Sequence, residues 1–138
     1  MVKWFKPAEK APPPPVVDRD YLARLSKHIG HAETCELMAD GAMELSDKLD
    51  RLRRIVDGTE EGSIAELAHD IAGAAGHLGL SALSMAAVDA NRLAREDGAK
   101  DARDLADRIF ACEPEAMSAI AKYCANEDAD DLVPETPD

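Results

Sequence analysis

The chain has 138 residues, a length that suits one domain, and 46% of them are hydrophobic while only 4% are aromatic. A formal net charge of −12 argues against a nucleic-acid partner, because holding a phosphate backbone needs clustered lysine and arginine. No stretch approaches the roughly 20 apolar residues of a membrane span, and Met1 to Lys10 lacks the apolar core of a secretory signal, so a cytoplasmic protein is expected.

Alanine and leucine dominate the apolar set, which favours helices packed through aliphatic side chains and an all-α fold. Residues 1–17 carry four consecutive prolines, Pro12 to Pro15, which form neither helix nor internal strand. They read as a disordered tail or short stiff spacer, with Trp4 and Phe5 near its start. Asp18 then caps a short helix whose Tyr21, Leu22, Leu25 and Ile29 share a face, ending near Gly30. A long amphipathic helix follows, with Met38, Ala42, Leu45, Leu49, Leu52 and Val56 at steps of three and four, closed by Asp57 and Gly58.

Ser63-Ile-Ala-Glu66 is a capping-box pattern that opens the third helix, and Gly79 suits its C′ position. A fourth helix is predicted from about Ser81 to Asp97, with Leu83, Ala86, Ala87, Ala90 and Leu93 inward and Gly98 closing it. The last stretch runs from about Asp101 to Ala125 along Leu105, Ile109, Met117 and Ile120. Pro114 falls inside it, which predicts a kink or break near Cys112 and Glu113, with Pro114 opening a new turn. Residues 126–138, acidic and holding two prolines, read as a second disordered tail. Short connections between long helices predict an up-and-down antiparallel four-helix bundle over residues 18–125, with a short extra N-terminal helix.

Chemistry concentrates on the third helix. At about 100° per residue, Ile64, Leu67, Ile71 and Leu78 fall within roughly 60° of one another and form the buried stripe. His69 lies opposite that stripe, among Ala65, Ala72, Gly73 and Gly76. Glycine inside a helix costs about 0.5 to 1 kcal/mol relative to alanine, so two mid-helix glycines beside an outward histidine suggest close approach by another molecule. An imidazole titrates near neutral pH and offers a nucleophilic lone pair in its neutral form. Attack on an aspartyl phosphate gives a phosphoramidate of comparable transfer potential, so the step is reversible. Phosphoryl transfer rests on positioning and cations, and a docked partner can supply both.

The run Ala68-His-Asp-Ile-Ala-Gly-Ala-Ala-Gly-His-Leu-Gly79 resembles the signature of histidine-containing phosphotransfer (HPt) domains. Ala68, His69, Ile71, Gly73, Ala74, Ala75, Leu78 and Gly79 match that pattern as they stand, and the spacing of Asp18, Leu22, Leu25 and Gly30 extends the likeness over roughly residues 18–125. The resemblance implies a four-helix bundle whose phosphorylatable histidine, here His69, relays phosphate between receiver-domain aspartates of a hybrid histidine kinase and a response regulator. It also implies that magnesium belongs to the receiver, with no cofactor of the chain's own and no metal site. One position departs: Ala72 stands where the family usually has a lysine that holds the phosphoryl group. Replacement cations could come from the receiver, or from Arg92 and Arg95 on the following helix.

Other groups carry weaker signals. Glu66 and Asp70 flank His69 and could orient its ring through one nitrogen, or be solvated helix-surface carboxylates. His77 lies some 80° round the helix from His69 and reads as a structural or surface histidine. His28 and His31 are three apart across Gly30 without a further ligand, so turn-surface histidines fit better than a metal site. Arg51, Arg53 and Arg54 could rim a docking surface or sit as a solvated, dipole-favoured helix end. Cys35, Cys112 and Cys124, odd in number and widely spaced, read as small buried hydrophobes.

The expected protein is thus a monomeric phosphohistidine carrier without autonomous kinase activity, docking through Ala65, Ala72, Gly73, Gly76, Arg92 and Arg95. Its rival is a non-phosphorylated module of the same fold that binds or sequesters a receiver or kinase, which Ala72 favours. A metal-binding bundle would instead need ligands converging in the core.

Overall fold

The computed structural model describes residues 13–97 and 102–125. The first twelve residues of the expected 1–17 tail, the whole of that at 126–138, the stop at Gly98 and the start at Asp101 lie outside the described residues. Within them the chain forms five helices and no strand, so the all-α class follows directly.

Local signals set most helix ends. The Asp18 carboxylate accepts from the Tyr21 amide at 3.1 Å and opens α1, Arg19–Ile29. Gly30, at φ +91°, returns its N–H to the Ser26 carbonyl at 2.8 Å, and α2 begins on the next residue, His31–Asp57. Thr34 is the buried polar residue of the core, and its hydroxyl donates to the Gly30 carbonyl at 2.7 Å, which meets the requirement that a buried donor be bonded. The Ser63 hydroxyl accepts from the Glu66 amide at 3.1 Å and starts α3, Ile64–His77. That helix ends in a Schellman arrangement: Leu80 N–H bonds Ala75 O at 2.9 Å and Gly79 N–H bonds Gly76 O at 3.0 Å, with Gly79 at φ +73°. Helices α4, Ser81–Asp97, and α5, Ala102–Cys124, complete the chain.

Helix α2 packs on α3 and α5, α4 packs on the same two, and α1 lies on α2. One core results, built by Leu45, Leu49 and Leu52 of α2, Ile71 and Ala75 of α3, Leu83, Ala87 and Ala90 of α4, and Ile109 of α5. Each large aliphatic side chain so buried contributes roughly 1.5–3 kcal/mol relative to exposure.

The Pro-rich segment, read as a tail from sequence, meets these helices at its described end. Ala82 N–H donates to Pro15 O at 2.9 Å and Asp18 N–H donates to Gly79 O at 2.7 Å, which ties the entry to α1 onto the corner between α3 and α4.

Pro114 does not break α5. The helix runs through it as one element, contrary to the break expected near Cys112 and Glu113. Ile109, before the proline, and Ala116, Ile120 and Tyr123, after it, are all buried in the common core. Packing on both sides supports the helix through the proline and offsets the one backbone bond that proline cannot donate.

Candidate functional site

The phase of α3 is fixed by what it buries. Ile64, Leu67, Ala68, Ile71 and Ala75 face the core, so the opposite side of the helix must face water. His69 is there, with 74% of its side chain exposed. Its ring makes no hydrogen bond among the described residues. Asp70 Oδ1 stands 3.9 Å from Nδ1, beyond hydrogen-bond range, and Glu66 is exposed beside it.

The small residues around His69 divide into two kinds. Gly73 and Gly76 are exposed; a Cβ on Gly73 would meet nothing within 4 Å, and one on Gly76 only the Ser84 hydroxyl, at 3.5 Å. Among the described residues, no neighbour requires either glycine. Ala65 and Ala72, expected on the same bare face, are instead half-buried and packed against the core. Their carbonyls accept from α4: Asn91 Nδ2 to Ala65 O at 2.7 Å and Ser84 Oγ to Ala72 O at 2.9 Å. Alanine at these positions lets α4 approach the α3 backbone closely.

On its other side His69 opens onto a groove of about 780 Å³ between α2 and α3, floored by Met38 and Leu78 and closed at one end by Tyr21 and Leu25 of α1. Gly41 of α2 admits the Leu78 side chain, since a Cβ there would overlap the Leu78 Cδ2 methyl and lie 3.2 Å from Cγ. Asp40, Glu44 and Lys48 of α2 and Asp70 and Gly73 of α3 line the groove. His77 lies at the far end; its carbonyl accepts from the Tyr21 hydroxyl at 2.7 Å.

The arginines are mostly engaged within the fold. Arg92 pairs with Asp89 at 3.4 Å and Glu96 at 3.8 Å. The bonds from Ser84 and Asn91 run in opposite chain directions along the two helices, and they place Arg92 level with Ile64, roughly 7 Å along the axis from His69. Arg95 lies almost a turn farther away. Arg51 and Arg54 both hold Glu60, at 2.7 and 2.8 Å, and Arg54 first, then Arg51, keep that carboxyl below its ordinary range. Arg53 pairs with Asp50 at 2.9 Å and with Glu113, and lies over the Phe110 ring at 4.6 Å.

No group of three or more potential metal ligands gathers among the described residues. His28 Nδ1 lies 2.9 Å from Arg24 O, and the His31 ring lies 4.9 Å from that of Tyr123 and 3.5 Å from Cys35 Sγ. The three cysteines are free and half-buried. Burial, and then a hydrogen bond with Cys35, push the Cys124 thiol up to about 12.

Sequence reasoning placed His69, Gly73 and Gly76 on the exposed side of α3, where they are found, but missed the α2 side of the groove. Gly41 was the available signal, a glycine in mid-helix seven residues before a lysine on the same side of α2.

No helix among the described residues is long and apolar enough to cross a membrane. A family model described as the Hpt domain matches residues 32–129, well over half of the chain, beginning at α2 and leaving α1 outside. No curated protein and no solved structure matches the chain.

Proposed function

The chain belongs to the Hpt domain family, whose members are histidine phosphotransfer carriers in phosphorelays, and we propose that its phosphoryl acceptor is His69. The observation that carries this reading is a ring three-quarters exposed, unbonded, beside two glycines that no neighbour among the described residues requires.

In the proposed step a receiver aspartyl phosphate is brought against α3. A ring nitrogen of His69 donates its lone pair to phosphorus as the P–O bond breaks, and both electrons of that bond leave with the aspartate carboxylate. The other ring nitrogen keeps its proton until solvent takes it. Transfer to a second receiver reverses the same events. Asp70 lies on the Nδ1 side, which leaves Nε2, the nitrogen farther from the main chain, as the nucleophile. The magnesium that screens the receiver's carboxylates belongs to the receiver and not to this chain. The frame is an up-and-down four-helix bundle with α1 added to it, acting as a cytoplasmic monomer. Gly73 and Gly76 form the bare centre of the docking face, the seam at Ala65 and Ala72 forms one edge, and Arg92 and Arg95 flank it at the far end.

Mixing the protein with a phosphorylated receiver domain tests the assignment. Acid-labile, alkali-stable label should move to the wild-type chain and not to His69→Gln. A receiver that keeps all of its label, yet still binds, would favour the non-phosphorylated module; equal labelling of the mutant would move the acceptor elsewhere.

A further inference from the structure

Ala72 leaves the expected lysine missing, and the groove shows where a cation stands instead. Lys48 of α2 lines the same groove as His69 and is the one lysine or arginine among the residues that do. It is half-buried and makes no ion pair or hydrogen bond among the described residues. The other charged residues of the groove, Asp40, Glu44 and Asp70, are all acidic, so a phosphoryl dianion on His69 would meet a repelling field but for Lys48.

The axial register brings the two residues together. Six residues join the end of α2 to the start of α3, and Gly41 lies against Leu78, so the helices run in opposite directions. Seven residues on from Gly41 is Lys48, and seven back from Leu78 is Ile71. Lys48 is therefore level with the turn between His69 and Gly73, about 3 Å along the axis from His69. A flexible four-carbon stem carries its ammonium. Gly73 lines the same groove without a side chain, and a Cβ there would meet nothing within 4 Å.

We propose that Lys48 is the phosphoryl-holding cation of this chain, pairing across the groove with the phosphoryl group on His69 in place of the lysine absent at position 72. This rests on His69 being the acceptor. It differs from the family's arrangement in drawing the cation from α2 rather than from the histidine's own helix.

Phosphoramidate, a small anionic donor, tests the pairing without a receiver. The His69 nitrogen bonds to phosphorus as the donor's P–N bond breaks, and its nitrogen leaves as ammonia with a proton from solvent. Phosphorus NMR then follows both the labelling rate and the pH midpoint of the bound phosphoryl group. Because a partly exposed ion pair is worth a few-fold, Lys48→Gln should label about threefold more slowly and titrate about half a pH unit higher, while Lys48→Arg should keep the wild-type values. Lys48→Met, which retains the apolar stem, repeats the loss of charge should the glutamine variant melt early. Equal rates and midpoints in wild type and the uncharged variants, with a signal that vanishes in His69→Gln, would overturn the role of Lys48 alone. A wild-type signal that does not depend on His69 would overturn the acceptor assignment and the pairing with it.

Discussion

The Asn91 side-chain amide donates to the backbone carbonyl of Ala65 at 2.7 Å, one of two bonds by which α4 holds α3 on either side of His69. Ser84 makes the other, to Ala72, seven residues away on both helices. Mid-helix carbonyls already accept within their own helix, and the second lone pair takes the bond from the neighbour. Two such bonds fix how far α3 can slide along α4, which the methyl-lined seam alone would not.

Asn91→Ala should therefore cost about 0.5–1.5 kcal/mol, the net worth of one hydrogen bond, read as a lower urea midpoint with an unchanged slope. Asn91→Leu should cost more, because its larger side chain must fit a half-buried seam. An unchanged midpoint for both would mean that packing alone sets the register.

Gly73 should separate stability from function. Its neighbourhood is open, so Gly73→Ala gains helix propensity without a clash and should stabilise the fold by about 0.5–1 kcal/mol. Gly73→Leu should fold as well and yet slow receiver-dependent labelling of His69 at least tenfold, because the added side chain occupies the approach. Normal transfer by the leucine variant would remove the glycine from the docking face.

Pro114 offers a gain. It is exposed, sits inside an unbroken helix and denies α5 one bond. Pro114→Ala should raise stability by about 1–3 kcal/mol, the upper figure being the full interior cost of proline and the lower allowing for the freer unfolded chain. Loss of stability would show that the proline shapes α5 in a way its neighbours need.

Cys124 predicts the alkaline side of the stability curve. Its thiol keeps its proton to about 12 in the folded chain, against 9.0 for the ordinary group, chiefly through burial. The unfolded state therefore releases a proton that the folded state retains once the pH passes 9.0, and stability falls from there until the folded thiol also ionises. Cys112, raised by burial and then by Glu115, acts in the same direction. Urea midpoints at pH 7 and pH 10 should differ less in Cys124→Ala than in the wild type; an identical drop would assign the alkaline limb to other groups.

The exposed position of His69 was legible because helix phase is local arithmetic: four apolar residues fix the buried side, and the histidine opposite them is outside. The caps Asp18, Ser63 and Gly79 were legible for the same reason, each acting within a few residues of itself. What could not be read depends on register between helices. A small residue looks alike whether it faces water, as Gly73 does, or a neighbouring helix, as Ala72 does. Lys48 became relevant only when the Gly41 and Leu78 contact set α2 against α3. Pro114 obeyed its neighbours' burial and not its own propensity.

Both ends of α3 are clamped, by the Ser63 cap at one and the Gly79 corner at the other. Orientation of the histidine is consequently encoded as a residue count. One residue inserted between Ser63 and His69 would set the imidazole, together with Ile71 and Ala75, about 100° out of phase with the Ser63 cap, whereas four would shift them only about 40°. Tolerance to length changes in this segment should therefore follow the helical repeat, whole turns being accepted and single steps not.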